Sequence, residues 1–185
     1  MTRLTAGTIS FLSLENGRQY FFTRSLPKEM LDALEFHNTK RQEVGVNALT
    51  WSDELAQLAQ DWADHLAEFG EIDHRPNNKY GENVAFDSSV LAGAERWYSE
   101  IQKYTHPTKI NGTNYLTFGH YTQMVWKGST QIGIGVAEIK EFQPCAATRG
   151  RCTFISVRMR AVPECRFALA DGQPKRGCAI SDGPV

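Results

Sequence analysis

Four ionisable side chains have the types and spread to do chemistry together. His74 and Glu82 lie in the polar stretch "EIDHRPNNKYGENVAFDSS", Glu100 follows an apolar-periodic run, and His120 sits in "FGHYTQMVWKGSTQIGIG". Two imidazoles and two carboxylates suit a borderline-soft divalent ion such as zinc. The rings would be ligands, water would fill the open positions, and each glutamate would accept from a ring N–H to fix its tautomer. The intervals of 8, 18 and 20 residues permit such a meeting without requiring it. His120 also has a plainer reading as a satisfied core histidine, and composition alone leaves the two open. His37 reads as structural beside Asn38 and Arg41, and His65 and His106 as surface residues.

The elements that must position these groups follow from periodicity. "TISFLSLE" and "RQYFFTR" flank Asn16-Gly17, the dipeptide that best accepts a two-residue hairpin turn. A lone hairpin is marginal in water, so this one is expected to pack on the domain or on another molecule. Pro27 opens a first helix with apolar positions Met30, Leu31, Leu34 and Phe36, which stops at Gly45. A second helix is capped by Ser52, carries Leu55, Leu58, Ala59, Trp62, Leu66 and Phe69 at helical spacing, and closes at Gly70. The Asn-, Pro- and Asp-rich stretch holding His74 and Glu82 reads as a loop, with Ser88 and Ser89 as turn formers. A third helix runs from Val90 to about Tyr104 and buries Leu91, Ala94, Trp97, Tyr98 and Ile101. "QIGIGVAEI" sets bulky Ile132, Ile134 and Val136 against Gly133, Gly135 and Ala137, a strand with one bare face that a helix can approach closely. "TFISVRMRAV" alternates likewise. Helices first and strands later imply an α+β fold in stacked layers.

Length and composition bound the rest. A chain of 185 residues fits one domain that folds without a metal. A net charge of −1 argues against a nucleic-acid partner, although residues 149–176 carry +5 and leave −6 elsewhere. That basic stretch is either a solvated edge or a surface for anionic phospholipid. All four cysteines, Cys145, Cys152, Cys165 and Cys178, fall in the last quarter, which reads as local disulfide stapling in an oxidising compartment. Of the three pairings, the sequential one closes the shortest loops. A zinc–cysteine site is disfavoured because no two cysteines are closely spaced. No run is long and apolar enough for a membrane span, and the start does not resemble a signal peptide, which suggests a mature form. Asn111-Gly112-Thr113 is a glycosylation acceptor sequence.

"GHYTQMVW" (119–126), "KYGENVAF" (79–86), "HN" followed by Arg41, "LTWSDELAQLAQDWADHLA" (49–67) and "WYSEIQKY" (97–104) together resemble the CAP superfamily of cysteine-rich secretory proteins, antigen 5 and plant pathogenesis-related proteins. The resemblance covers about residues 27–160. It implies a three-layer α/β/α sandwich with a central cleft, to which the hairpin is an extra N-terminal element. The division is then residues 1–24 for the hairpin extension, 25–162 for the CAP domain, and 163–185 for a cysteine-containing extension. His74 and His120 match the family's metal-binding histidines, and Glu82 and Glu100 the carboxylates that support them. Tyr80, Asn83, Tyr121, Gln123 and Trp126 would support the cleft. The chain departs from the pattern in "IGIG", where many secreted members place a cysteine, in its last strand, and in the hairpin.

The function implied first is a secreted binding module. It would take a divalent cation, zinc above others, and a lipid, sterol or peptide ligand, as a monomer or weak homodimer. A metal-assisted hydrolase or protease using Glu82 or Glu100 as general base is the alternative, though H-E-x-x-H and G-x-S-x-G are both missing. An adhesion or toxin-like module pairing through the hairpin edge is the third reading.

Overall fold

A computed structural model of the chain describes residues 8–15, 18–105, 113–139 and 153–161. The four cysteines, His106, Asn111 and most of the basic stretch lie outside the described residues. In chain order the elements are β1 (Thr8–Glu15), β2 (Arg18–Ser25), α1 (Lys28–Glu43), β3 (Thr50–Trp51), α2 (Asp53–Phe69) and β4 (Gly81–Asp87). They continue with α3 (Val90–Ser99), a 3-10 turn (Glu100–Lys103), α4 (Tyr115–Met124), β5 (Ser129–Glu138) and β6 (Thr153–Ala161). β1 and β2 form an antiparallel hairpin in which Glu15 pairs with Arg18, the register that a two-residue connection sets. The other strands make a four-stranded sheet in the order β3-β5-β6-β4, parallel between β3 and β5 and antiparallel elsewhere.

Helix α2 covers one face of that sheet, and α1, α3 and α4 the other, which makes three layers of an α+β fold. Ser52 caps α2 by accepting from the Leu55 N–H at 3.3 Å, and Gly70 ends it in the left-handed region at φ 69°. The bare face of β5 is where α2 lies. A Cβ on Gly133 would fall 2.1 Å from the Ala56 nitrogen, and one on Gly135 2.1 Å from the Gln60 nitrogen. Strand β3 is so short that it pairs only with Gln131 and Ile132 of β5. Gln60 takes over further along: its Nε2 donates to the Val136 carbonyl at 2.8 Å and its Oε1 accepts from the Val136 N–H at 3.0 Å. On the opposite face Ile132, Ile134, Ile155, Val157 and Met159 meet Met30 and Ala33 of α1, Ala94 and Trp97 of α3, and Tyr121 and Met124 of α4.

The structure corrects four expectations. The stretch read as one loop contains a strand, β4. Its Val84 packs with Trp62 and Leu66 while the adjacent Ala85 joins the opposite core, so both faces are covered and no polar alternation marks it. The inward face of α1 is Met30, Ala33, His37 and Arg41, with Leu31, Leu34 and Phe36 only partly buried. Phe69 is 61% exposed at the end of α2, one turn beyond the covered part of the helix. The third helix tightens after Ser99 and buries Val90, Gly93, Ala94 and Trp97. Gly93 belongs there because a Cβ would meet the Ile155 side chain at 2.9 Å. Among the described residues no helix is long and apolar enough to cross a membrane.

Candidate functional site

His120 owes its place to a break in a helix. At Phe118 (φ −146°, ψ 16°) the backbone of α4 leaves the helical region, so the turns that follow start anew with their own unpaired N–H groups. The Glu100 carboxylate, carried by the 3-10 turn, takes them. Its Oε2 accepts from the N–H of His120 at 3.0 Å and of Tyr121 at 3.2 Å, and its Oε1 lies 2.7 Å from His120 Nδ1. One anion thus caps a helix and grips an imidazole, with the positive end of the helix favouring its charge. The Trp97 ring stacks on the imidazole at 6.1 Å and 17°. Asn83 Nδ2 donates to the His120 carbonyl at 3.0 Å.

His74 is held in the same way from another element. Its Nδ1 lies 2.9 Å from Glu82 Oε1, which also accepts from the Arg75 N–H at 3.0 Å. A carboxylate only accepts, so in both pairs Nδ1 carries the proton and the neutral ring presents a lone pair at Nε2. Each anchor is more buried than its ring: the Glu82 side chain is 2% exposed against 56% for His74, and Glu100 17% against 38% for His120. The rings therefore reach solvent from fixed bases. Glu82 and Asn83 are neighbours on β4, one bonded to His74 and the other to His120. They lie on alternate faces of that edge strand, so the two pairs border one margin of the sheet. Among the described residues no group of three or more His, Cys, Asp or Glu side chains is placed to hold an ion.

A family model described as the cysteine-rich secretory protein family matches residues 34–144. The chain belongs to the CAP family. Pathogenesis-related protein 1C of Nicotiana tabacum is 39% identical over 106 residues, covering 55% of this chain and 62% of the relative. Venom allergen 5 of Vespula flavopilosa is 33% identical over 134 residues, covering 58% of this chain and 65% of the relative. The match thus spans just under two thirds of each relative's length. Among solved structures, Schistosoma mansoni venom allergen-like protein 4 aligns with a TM-score of 0.55 at 19% identity, over 84% of this chain and 99% of that one. NaASP2, solved with Zn2+, aligns with a TM-score of 0.54 at 16% identity, over 72% and 80%. These structures share the CAP fold.

Within this CAP domain the remaining support residues act on the elements around the pairs. Tyr121 is buried against Tyr98 and Tyr104, at 5.7 and 5.5 Å between ring centres, and burial pushes its pKa up to about 12. Gln123 packs on the start of β4, where a Cβ on Gly81 would strike its amide at 2.4 Å. Tyr80, the residue just before β4, donates its hydroxyl to Glu54 Oε1 at 3.3 Å, joining the entry to that strand to the first turn of α2. Trp126 is buried, and its carbonyl leads to a residue whose role the sequence reading missed. The fully buried Arg41 spends its guanidinium on four carbonyls: Asn47 at 2.7 Å, and Met124, Trp126 and Ser129 at 2.9 Å each. It closes the negative end of α4 and the turn into β5, fixing the "GHYTQMVW" segment from behind. Burial lowers its pKa to about 10, which leaves it cationic at neutral pH. The available signal was spacing, since Met30, Ala33, His37 and Arg41 form one helical stripe that begins apolar and ends polar.

Proposed function

We propose that this CAP domain is a secreted binding module that takes a divalent cation, zinc above others, on the Nε2 atoms of His74 and His120. Glu82 and Glu100 orient the rings from behind. The observation that carries the reading is that both imidazoles are tied through Nδ1 to more buried carboxylates, at 2.9 and 2.7 Å, with the opposite nitrogen left to accept an ion. Two protein donors with water completing the shell make a weaker site than a closed cage of four. An exchangeable ion rather than a permanent structural one fits that count. A lipid, sterol or peptide occupying the neighbouring cleft, and a basic C-terminal stretch meeting anionic headgroups, complete the proposal on the strength of family membership. The protein acts as a monomer or weak homodimer.

Calorimetric zinc titration tests the reading. His74→Ala and His120→Ala should each abolish most binding, and Glu82→Gln should weaken it by about 10 to 100-fold while the protein stays folded. Undiminished binding in both histidine variants removes the site. Zinc-dependent hydrolysis of peptides or esters that disappears in Glu82→Gln would replace the binding module with a hydrolase.

A further inference from the structure

Residues 71–80 join α2 to β4 and hold His74; most of them are exposed, and Asn77 sits at φ 55°. A segment of this kind takes one conformation only where something anchors it. Tyr80 is tied to Glu54 at its far end, and a second group of anchors falls on the three residues centred on His74. Trp62 Nε1 donates to the Asp73 carbonyl at 3.0 Å, and the Arg75 guanidinium lies over the Trp62 ring, 5.5 Å from its centre. Between them, Glu82 Oε1 takes both His74 Nδ1 and the Arg75 N–H. Trp62 is itself fixed: 8% exposed, packed with Leu66 and Val84, and stacked on His65 at 4.5 Å and 18°.

We propose that Trp62 is the positioning residue of His74, gripping the backbone before it and the side chain after it so that the Glu82 bond selects one ring tautomer. Its functional consequence rests on the metal reading above; its structural content rests on these contacts alone. Trp62→Phe keeps an aromatic ring for Arg75 and deletes the N–H. At about pH 8, where ordinary imidazoles are neutral, nitrogen-resolved NMR of the metal-free protein reads the tautomers. His74 should be Nδ1-protonated in the wild type and mixed in the variant, with His120 unchanged. Zinc affinity should fall by about tenfold, the size of effect that removing an outer partner has, while the melting temperature moves by only a few degrees. Equal tautomers and equal affinity in the two proteins overturn the proposal. A tautomer shift in a protein that takes no zinc upholds the positioning role and sinks the metal reading instead. If the variant does not fold, exchange of the wild-type Trp62 indole N–H decides. Slow exchange is expected of a proton donated to Asp73, and exchange at the rate of a free indole overturns the role.

Discussion

His37 and Arg41 lie one turn apart on α1, both fully buried, and meet that burial in opposite ways. Arg41 keeps its charge by donating to four carbonyls, whereas His37 stays neutral. Desolvation, with help from the Arg41 charge and against the bond from Nδ1 to the Ala33 carbonyl, drags the imidazole pKa down to about 4. An unfolded histidine titrates near 6.5. Below that pH the unfolded chain binds a proton that the folded one refuses, so stability is complete above about pH 6.5 and falls as pH drops toward 4. Over that window the loss should reach about 3 kcal/mol. Urea unfolding of the wild type and His37→Gln across the window checks this. The gap between the two curves should narrow toward acid, and parallel curves would contradict the assignment.

The contact between α2 and β5 is a close approach of two layers, and two glycines make it. Since a Cβ at Gly135 would sit 2.1 Å from a backbone nitrogen rather than from a movable side-chain tip, the helix itself must shift to admit one. Gly135→Ala should lower unfolding free energy by about 1–3 kcal/mol, the scale of overpacked cores, and unchanged stability in urea would show that the helix stands off. This contact was readable in advance, because a strand with one bulky and one bare face states what must lie against it. So were both ends of α2, where Ser52 and Gly70 are local signals. β4 was not, since Val84 and Ala85 are covered from opposite layers and the flanking Asn, Pro and Asp residues spoke for a loop. The break at Phe118 was equally silent, because it depends on Glu100, distant in sequence, capping the turns beyond it. The histidines and the glutamates alike could be singled out by type and by family likeness, but which glutamate holds which ring is a matter of tertiary geometry.

At the scale of the molecule, three layers bring loop, strand and broken helix to one edge of the sheet. Arg41 holds that arrangement from the core side, Trp62 from the α2 side, and β4 runs between them with Glu82 and Asn83 turned to the two histidines. The proposed site requires both rings to offer Nε2 to one ion while their Nδ1 atoms remain tied to glutamate. Crystals of the protein soaked in zinc, measured on either side of the zinc absorption edge, test this most directly. The predicted result is one anomalous peak about 2.0–2.1 Å from Nε2 of both His74 and His120. A peak that touches only one ring, or lies on the carboxylates instead, would contradict the account.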